Sequence, residues 1–433
     1  MLRFLLVLST VTVFAASSAA EAADAGETFW IGQAERNGAM LTVQLRLTSG
    51  EPMTGALDVP EFSRLGMPLL QSERNGDRLT LGFGGVRLDH LFEGKRKDDR
   101  YGGTWHWTDE SFECRFILER KPDPRPYTSE EVTFENGDVT LSGTVFTPRT
   151  PGPHPGIMMM PGSGDNPRWH WEGHADFFAR QGFVSLMFDK RGNGRSTGDW
   201  KKSGFDELAQ DGIAGIHLLQ KRKDVDPKRV GFWGISQAGW IMPLAAKKSP
   251  DVAFILTTSG ATVDVKTEGK YDYLVRLRDA GVGSEDLALA ERILDLDHEV
   301  TMTGQGYDEL RRLVLETRAK PWWKFFEFQL VPAGARAFPK LIGGFDPRPV
   351  LEEVKIPILW MYGDADKSVE PSKSIAILND IMAKQPKPWT IKTFPDADHG
   401  IQLMRDGTAP FPHRAYAPGY WDTMVEWVKQ FGK

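Results

Sequence analysis

The spacing of apolar residues changes near residue 120, and each part of the chain predicts a different architecture. Before that point apolar and polar residues alternate in short runs, such as 40–47 and 78–83, which turn signals such as Asn37-Gly38 separate. Alternation with a period of two is typical of strands that bury one face. The first part therefore predicts a small all-β domain, a sandwich or barrel of roughly six to eight strands.

A proline-rich stretch, 121–126, lies between the two patterns. Three prolines in six residues favour a stiff, extended linker. We place the domain boundary here, with an N-terminal β-domain over 23–121 and a second domain over 122–433.

The second domain opens with a predicted hairpin around Asn136-Gly137, after which apolar runs alternate with amphipathic segments. The apolar runs are 156–160, 183–188, 230–235, 252–256, 356–362 and 390–394, and predicted helices include 175–181, 205–221, 372–384 and 420–431. Continuous apolar strands separated by helices indicate a mostly parallel sheet that is covered on both faces. The predicted fold class of this domain is α/β.

The alternation stops between about 262 and 350. This region predicts helices over 271–280, 284–301 and 307–319, and an aromatic run follows at 322–328. A helical insertion between two core strands is best interpreted as a cap over the C-terminal edge of the sheet.

The first 22 residues have the pattern of a secretory signal peptide. Arg3 supplies a positive start, an apolar run covers 4–16, and Ala20-Glu21-Ala22 is a cleavage signal. A membrane anchor is the alternative, but the apolar run is short for a span and no later stretch approaches spanning length. We therefore expect cleavage before Ala23 and a periplasmic or secreted protein without a stable membrane span.

Composition adds two restrictions. Cys114 is the only cysteine, so no disulfide can form within the chain, and its place in an alternating run predicts a buried apolar role. The net charge of −6 comes without a basic cluster, which argues against nucleic acid as a partner.

Candidate chemistry begins at the end of run 230–235, where the chain reads Gly234-Ile235-Ser236-Gln237-Ala238-Gly239. A serine on a tight strand-to-helix turn presents its hydroxyl above the sheet, and small neighbours are needed because the strand and helix backbones nearly touch. The usual pattern places glycine two residues after the serine, where this chain has Ala238. Alanine is also small, so the tight turn can still form. We therefore predict that Ser236 is a nucleophile.

A serine nucleophile needs a base, and the base needs an acid that fixes its tautomer. His399 follows the apolar run 390–394, while Asp364 and Asp366 follow the run 356–362. Side chains at the C-terminal ends of parallel strands meet at one edge of the sheet. We predict His399 as the base and one of the two aspartates as the acid.

Two further turns follow strands of the same sheet. Pro161-Gly162-Ser163-Gly164 comes after the run 156–160, and Asp189-Lys190-Arg191-Gly192 comes after the run 183–188. Glycine in such a turn lets the backbone approach a substrate closely.

With these motifs, the stretch from about Glu131 to the C-terminus resembles the α/β-hydrolase superfamily. Within it, the sequence resembles capped bacterial esterases related to the prolyl oligopeptidase and serine aminopeptidase groups, in particular exported members with an extra N-terminal β-domain. The Gly-x-x-Asp-x-x-Val pattern of this group fits Gly363, Asp366 and Val369, so the resemblance implies that Asp366 is the acid. Asp364 then stabilises its turn.

The resemblance also implies an oxyanion hole made of the backbone N–H groups of Gln237 and Ser163. The Asp-x-Arg-Gly segment could use Asp189 and Arg191 to bind a substrate carboxylate, but stabilisation of the loop is the favoured interpretation.

The implied activity is that of a serine hydrolase, most simply a carboxylesterase that cleaves short to medium acyl esters of small molecules through an acyl-enzyme and needs no cofactor. One alternative is a serine peptidase, aminopeptidase or prolyl-type, that acts on short peptides. A third possibility is a non-catalytic exported binding protein whose β-domain holds a polymer.

Two residue sets remain. Trp322, Trp323 and Phe326 either line an acyl pocket or form the core of the cap, and the sequence favours neither. His170 and His174 lack the spacing of a metalloprotease motif and an evident third ligand, so we predict no metal site.

Overall fold

The computed structural model describes residues 26–431, except 63, 86, 109–111, 333–336 and 405–413. The predicted signal peptide, 1–22, lies outside the described residues. No helix in the described part of the chain is both long enough and apolar enough to cross a membrane.

The N-terminal domain is a closed barrel of eight antiparallel strands, in which the first strand pairs with both the second and the eighth. Alternate residues point inward, so rings such as Trp30, Phe92 and Trp105 fill the interior together with Cys114. The strands are β1 Thr28–Arg36, β2 Ala39–Leu47, β3 Gly55–Val59, β4 Arg64–Asn75, β5 Arg78–Gly84, β6 Leu88–Lys97, β7 Arg100–Trp107 and β8 Phe112–Lys121. Of the two predicted architectures, the structure has the barrel.

The second domain is built on an eight-stranded sheet in the order β16-β15-β14-β13-β11-β12-β10-β9. Its strands are β9 Tyr127–Asn136, β10 Val139–Pro148, β11 His154–Met160, β12 Val184–Phe188, β13 Val225–Ile235, β14 Ile255–Thr258, β15 Ile358–Gly363 and β16 Trp389–Phe394. The hairpin β9–β10 is antiparallel and β10 joins β12 antiparallel, whereas the pairs that β11 to β16 form with one another are all parallel. This is the predicted mostly parallel α/β sheet.

Helices cover both faces of the sheet, as β11 illustrates. Ile157 and Met159 belong to one hydrophobic core, and Met158 and Met160 belong to the other. The flanking helices are α1 Glu172–Arg180, α2 Phe205–Gln220, α3 Ala238–Lys248, α10 Pro371–Lys384 and α11 Tyr420–Val428. Short 3-10 turns occur at Pro60–Phe62, Arg168–Trp171 and Trp200–Lys202, and a small hairpin pairs β17 Gln402–Met404 with β18 Arg414–Tyr416.

The helical insertion lies between β14 and β15 and has a hydrophobic core of its own. Its helices are α4 Val265–Asp279, α5 Ser284–Thr303, α6 Tyr307–Thr317, α7 Trp323–Phe326, α8 Ala337–Ile342 and α9 Arg348–Glu353. The first helix starts six residues before its predicted position because Asp264 caps it, accepting a hydrogen bond from the Thr267 N–H at 2.9 Å.

The barrel contacts the second domain through a buried ion network. Arg46 of β2 binds Asp58 of β3 with two hydrogen bonds of 2.9 Å, and it also pairs with Glu172, the first residue of α1, at 2.5 Å. The Gly66 N–H donates a further hydrogen bond of 2.7 Å to Asp58. Burial raises the pKa of Glu172 even though Arg46 acts to lower it.

Candidate active site

The turn that carries the predicted nucleophile is a strained backbone segment between β13 and α3. Ser236 has a φ of 59°, in the left-handed region that non-glycine residues rarely occupy. Its N–H donates to the Thr258 carbonyl of β14 at 3.1 Å, and its own carbonyl accepts from the Gly239 N–H at 2.8 Å. The serine is therefore held at the C-terminal end of a central strand, at the start of a helix.

Packing explains the unusual order of small residues after the serine. A β-carbon on Gly239 would lie 2.5 Å from the Cα of Gly260, so no side chain fits there. Ala238 is fully buried, and its methyl group already packs against Gly234. Glycine is thus required at 239, and position 238 has room for a methyl group.

The predicted base and acid are hydrogen-bonded to each other. Asp366 Oδ2 lies 2.9 Å from His399 Nδ1, while Asp366 Oδ1 accepts from the N–H groups of Ser368 at 2.7 Å and Val369 at 3.0 Å. The Asp366 side chain is fully buried, whereas the imidazole is 29% exposed. A carboxylate at Nδ1 favours the tautomer that leaves Nε2 free to accept a proton.

Neighbouring acidic residues shape the loops that carry this pair. Asp364 Oδ1 accepts from the Asp396 N–H at 2.6 Å, and Asp398 Oδ1 accepts from the Gly400 N–H at 2.9 Å. A β-carbon on Gly363 would lie 2.2 Å from the carbonyl oxygen of residue 397, so the acid and histidine loops touch through a glycine. The Asp364 contact thus joins two loops, whereas the sequence predicts a contact within its own turn.

Ser236, Asp366 and His399 follow β13, β15 and β16, so all three lie at the C-terminal edge of the parallel sheet. Among the described residues, the hydrogen bonds at this edge include the Asp366–His399 pair but not one between the Ser236 hydroxyl and the imidazole. Catalytic hydrogen bonds of this kind are often long before substrate binds.

The predicted oxyanion turn lies beside the serine. A β-carbon on Gly162 would be 3.7 Å from the Cβ of Ser236. Ser163 is exposed at the tip of the turn, and Gln237 is buried at the start of α3. Two sources of backbone N–H groups therefore flank Ser236.

The Asp-Lys-Arg-Gly segment is held by hydrogen bonds to neighbouring parts of the domain. Asp189 accepts from the N–H groups of Arg168 at 2.8 Å and Arg195 at 3.0 Å. Arg191 forms a bidentate pair with Asp211 of α2, at 2.7 and 2.6 Å. These contacts agree with the loop-stabilising interpretation of Asp189 and Arg191.

The predicted aromatic residues pack inside the cap. Trp322 and Phe326 are buried with ring centroids 5.5 Å apart, and Trp323, which is half-buried, lies 5.3 Å from Phe326. The packing makes these rings part of the cap core, and contact of any of them with a substrate stays a prediction.

His174 is a buried structural residue. Its ring stacks on Trp233 at 3.8 Å, and Nε2 lies 3.0 Å from the Tyr420 hydroxyl. Burial lowers the pKa of His174 to about 3, so the ring is neutral at physiological pH. His170 is exposed one turn earlier in the chain, and the described residues form no cluster of three or more potential metal ligands.

Sequence reasoning missed the contribution of α4 to the acid loop. The Tyr271 hydroxyl donates to the backbone carbonyl of Asp366 at 3.0 Å. Burial, together with the charges of Asp366 and Glu370, raises the pKa of Glu268 on the same helix to about 8. The first helix of the cap therefore contacts the loop of Asp366, and no local sequence pattern predicts this contact.

Comparison with known proteins places these residues in a family context. The family described as X-Pro dipeptidyl-peptidase (S15 family) matches residues 136–394. Among curated proteins, the quorum-quenching protein AidA of Acinetobacter baumannii is 25% identical over 162 residues, which cover 37% of this chain and 53% of that protein. Esterase EstD of Thermotoga maritima is 25% identical over 179 residues, which cover 40% of this chain and 42% of that protein.

The chain spans about half the length of the curated relatives that it matches. Among solved structures, an esterase of Pyrococcus furiosus aligns with 72% of this chain and 95% of its own, at 15% identity and a TM-score of 0.45.

The family match runs from the hairpin that opens the sheet to the end of β16. It includes Ser236 and Asp366 and stops just before His399, and it covers more than half of the 433 residues. The sheet, the covering helices and the cap found over this range are those of an α/β-hydrolase. The chain therefore has the α/β-hydrolase fold and belongs to the X-Pro dipeptidyl-peptidase (S15) family.

Proposed function

We propose that the protein is a serine carboxylesterase that cleaves short to medium acyl esters through an acyl-enzyme intermediate. The observation that carries the proposal is the 2.9 Å hydrogen bond between Asp366 and His399, at the same sheet edge as the strained Ser236. A buried carboxylate that orients a part-exposed imidazole at the same sheet edge as such a serine suits acyl transfer.

In the proposed mechanism, Ser236 Oγ attacks the ester carbonyl while His399 Nε2 takes its proton. The oxyanion receives hydrogen bonds from the N–H groups of Gln237 and Ser163. His399 then protonates the leaving alcohol, and the acyl-enzyme forms. Water repeats the sequence on the acyl-enzyme, so the acid is released and Ser236 regains its proton. Asp366 holds the imidazole and stabilises its charged form throughout.

The name of a relative gives independent support for acyl chemistry, since one matched protein is an esterase. No step requires a cofactor, and the expected substrate is a small-molecule ester.

The test compares wild type with Ser236→Ala on p-nitrophenyl esters from acetate to laurate. We expect ester turnover that disappears in the variant, whose thermal melting curve stays close to that of wild type. A fluorophosphonate probe should label wild type and not Ser236→Ala. Turnover at the wild-type rate in Ser236→Ala would contradict the proposed nucleophile.

A second candidate is a peptidase that acts on short peptides, which the family match over 136–394 favours. The chemistry at Ser236 is unchanged, and only the leaving group and its binding differ. Xaa-Pro and aminoacyl p-nitroanilides, assayed beside the esters, separate the two. Anilide turnover above ester turnover would assign the protein to the peptidases, and absence of both turnover and labelling would favour the binding protein.

We also propose that the chain is exported to the periplasm or the medium. The support is the charge and apolar pattern of residues 1–22, with a cleavage signal at 20–22. N-terminal sequencing of the protein recovered from cell fractions tests this. Ala23 as the first residue in the exported fraction is expected, and an intact Met1 in the cytoplasmic fraction would refute it.

A further inference from the structure

Two side chains hold three successive carbonyl oxygens of the turn that follows β11. Lys190 Nζ donates to the oxygen of Gly162 at 2.8 Å and to that of Gly164 at 3.3 Å. Asn166 Nδ2 donates to the oxygen of Ser163 at 2.7 Å and to that of Gly164 at 3.0 Å. All three carbonyls of the turn therefore face the same pair of side chains.

This arrangement fixes the direction of the N–H groups in the turn. In a trans peptide the C=O of one residue and the N–H of the next point in opposite directions. Because the described cis peptides lie elsewhere, at 51–52 and 152–153, the N–H groups of Ser163, Gly164 and Asp165 point away from Lys190 and Asn166. Successive N–H groups that face one side form an anion-binding concavity.

Lys190 also contacts the other half of the predicted oxyanion hole. Its Nζ lies 3.3 Å from Oε1 of Gln237, the residue that follows the nucleophile. Lys190 and Gln237 are both buried, and the ammonium stands 4.9 Å from the centre of the Trp200 ring. One cation thus bridges the turn and the start of α3.

We propose that Lys190 is a positioning residue of the oxyanion hole, whose ammonium holds the turn and Gln237 so that the N–H groups of Ser163 and Gln237 converge on the oxyanion. The same positive charge favours the negative charge that develops on the substrate oxygen. The inference rests on the proposed function, because an oxyanion forms only if Ser236 transfers an acyl group.

The environment of Lys190 makes its charge sensitive to pH. Burial lowers the pKa of Lys190 to about 8, against the opposing effect of Asp165 in the turn and Asp211 on α2. The Arg191 guanidinium, which is next in the chain, is paired with Asp211. The charged form of Lys190 therefore gives way to the neutral form as pH rises through about 8, and we expect kcat to fall over the same range.

The test uses Lys190→Met and Lys190→Arg in the full chain, assayed on the best p-nitrophenyl ester. Loss of the ammonium in Lys190→Met should lower kcat about 10- to 100-fold with little change in KM, because Lys190 positions the N–H groups that bind the oxyanion and makes no contact that supports ground-state binding. Lys190→Arg keeps a positive charge at all pH values, so it should recover part of kcat and lose the fall of kcat near pH 8.

Lys201→Met is the matched control. Lys201 also stands over the Trp200 ring, at 5.4 Å, but it is exposed and lies outside the site. We expect kcat and its pH profile to match wild type in this variant. A wild-type kcat in Lys190→Met, a flat wild-type profile up to pH 10, or an equal loss in Lys201→Met would each overturn the assigned role.

The two proposals fail in different ways. If wild type turns over esters in a Ser236-dependent manner and the Lys190 variants behave like wild type, only the role of Lys190 is refuted. If wild type shows neither turnover nor fluorophosphonate labelling, the proposed function is refuted and the role of Lys190 with it. Should Lys190→Met fail to fold, the pH profiles of wild type and Lys190→Arg decide the question.

Discussion

Asp366→Asn tests the acid with almost no change in shape. The amide has one oxygen and one NH2 group, whereas the carboxylate uses both oxygens as acceptors. If the amide oxygen stays on the N–H groups of Ser368 and Val369, the NH2 group faces His399 Nδ1. The imidazole must then carry its proton on Nε2, where it cannot accept the proton of Ser236.

The opposite amide orientation is unfavourable. It would set the NH2 group against two backbone N–H groups, and each unsatisfied buried donor costs about 1–3 kcal/mol. The orientation with the wrong imidazole tautomer therefore dominates. Loss of the correct tautomer in a triad lowers kcat by about 10⁴, which corresponds to about 5 kcal/mol of transition-state stabilisation.

The assay is kcat on the best p-nitrophenyl ester, with a melting curve to show that Asp366→Asn is folded. Asp364→Asn is the matched control, because Asp364 accepts a hydrogen bond from the Asp396 N–H that an amide oxygen can also accept. We expect a loss of about 10³ to 10⁴ for Asp366→Asn and less than about 10-fold for Asp364→Asn. A larger loss at Asp364 would show that the acid is wrongly assigned.

Three further perturbations test other parts of the structure. In Gly363→Ala the new methyl group would collide with the carbonyl of Ala397. The variant should therefore lose about 1–3 kcal/mol of unfolding free energy in chemical denaturation and lose ester turnover. Full activity would contradict this. Burial, with a smaller effect of a nearby arginine, lowers the pKa of His90 in the barrel to about 3. Between this pKa and the ordinary value of about 6.5, the unfolded state binds a proton that the folded state does not bind. The free energy of unfolding should therefore fall as pH drops below about 6.5. His90→Phe should make that fall shallower in pH-dependent melting curves and leave the part due to His174, and an unchanged slope would refute the assignment. Phe326→Ala should lower the free energy of unfolding by about 3–5 kcal/mol, as expected for a core ring. Trp323→Ala should change the acyl-chain preference if that ring touches substrate, and an unchanged preference would make Trp323 a cap residue only.

Local sequence patterns were sufficient to predict the elements that position the candidate site. A continuous apolar strand ending in Gly-x-Ser predicts the turn at Ser236, and the structure has the left-handed backbone that such a turn needs. The helix predicted over 205–221 is Phe205–Gln220 in the structure, since its apolar residues recur at helical spacing. The residues alone left Asp364 and Asp366 open, the resemblance implies Asp366, and the structure bonds that residue to His399.

The features that were missed depend on contacts between distant parts of the chain. Closure of the barrel rests on pairing between β1 and β8, which no local period encodes, so sandwich and barrel were equally compatible with the sequence. The beginning of α4 was missed because few of its residues are buried, which leaves little apolar periodicity to detect. Lys190 and Asn166 act on backbone carbonyls, and these carry no sequence signal of their own.

The ion network between the barrel and the second domain restricts the order in which its residues can change during evolution. If Glu172 is lost first, Arg46 and Asp58 remain a neutral bidentate pair. If Arg46 is lost first, two buried carboxylates lose the guanidinium that pairs with both of them, which is far more costly. Lineages that discard or exchange the barrel should therefore replace Glu172 before Arg46. A chimera that carries a foreign barrel should tolerate a neutral residue at position 172 more readily than it tolerates Glu172 opposite an unmatched barrel residue.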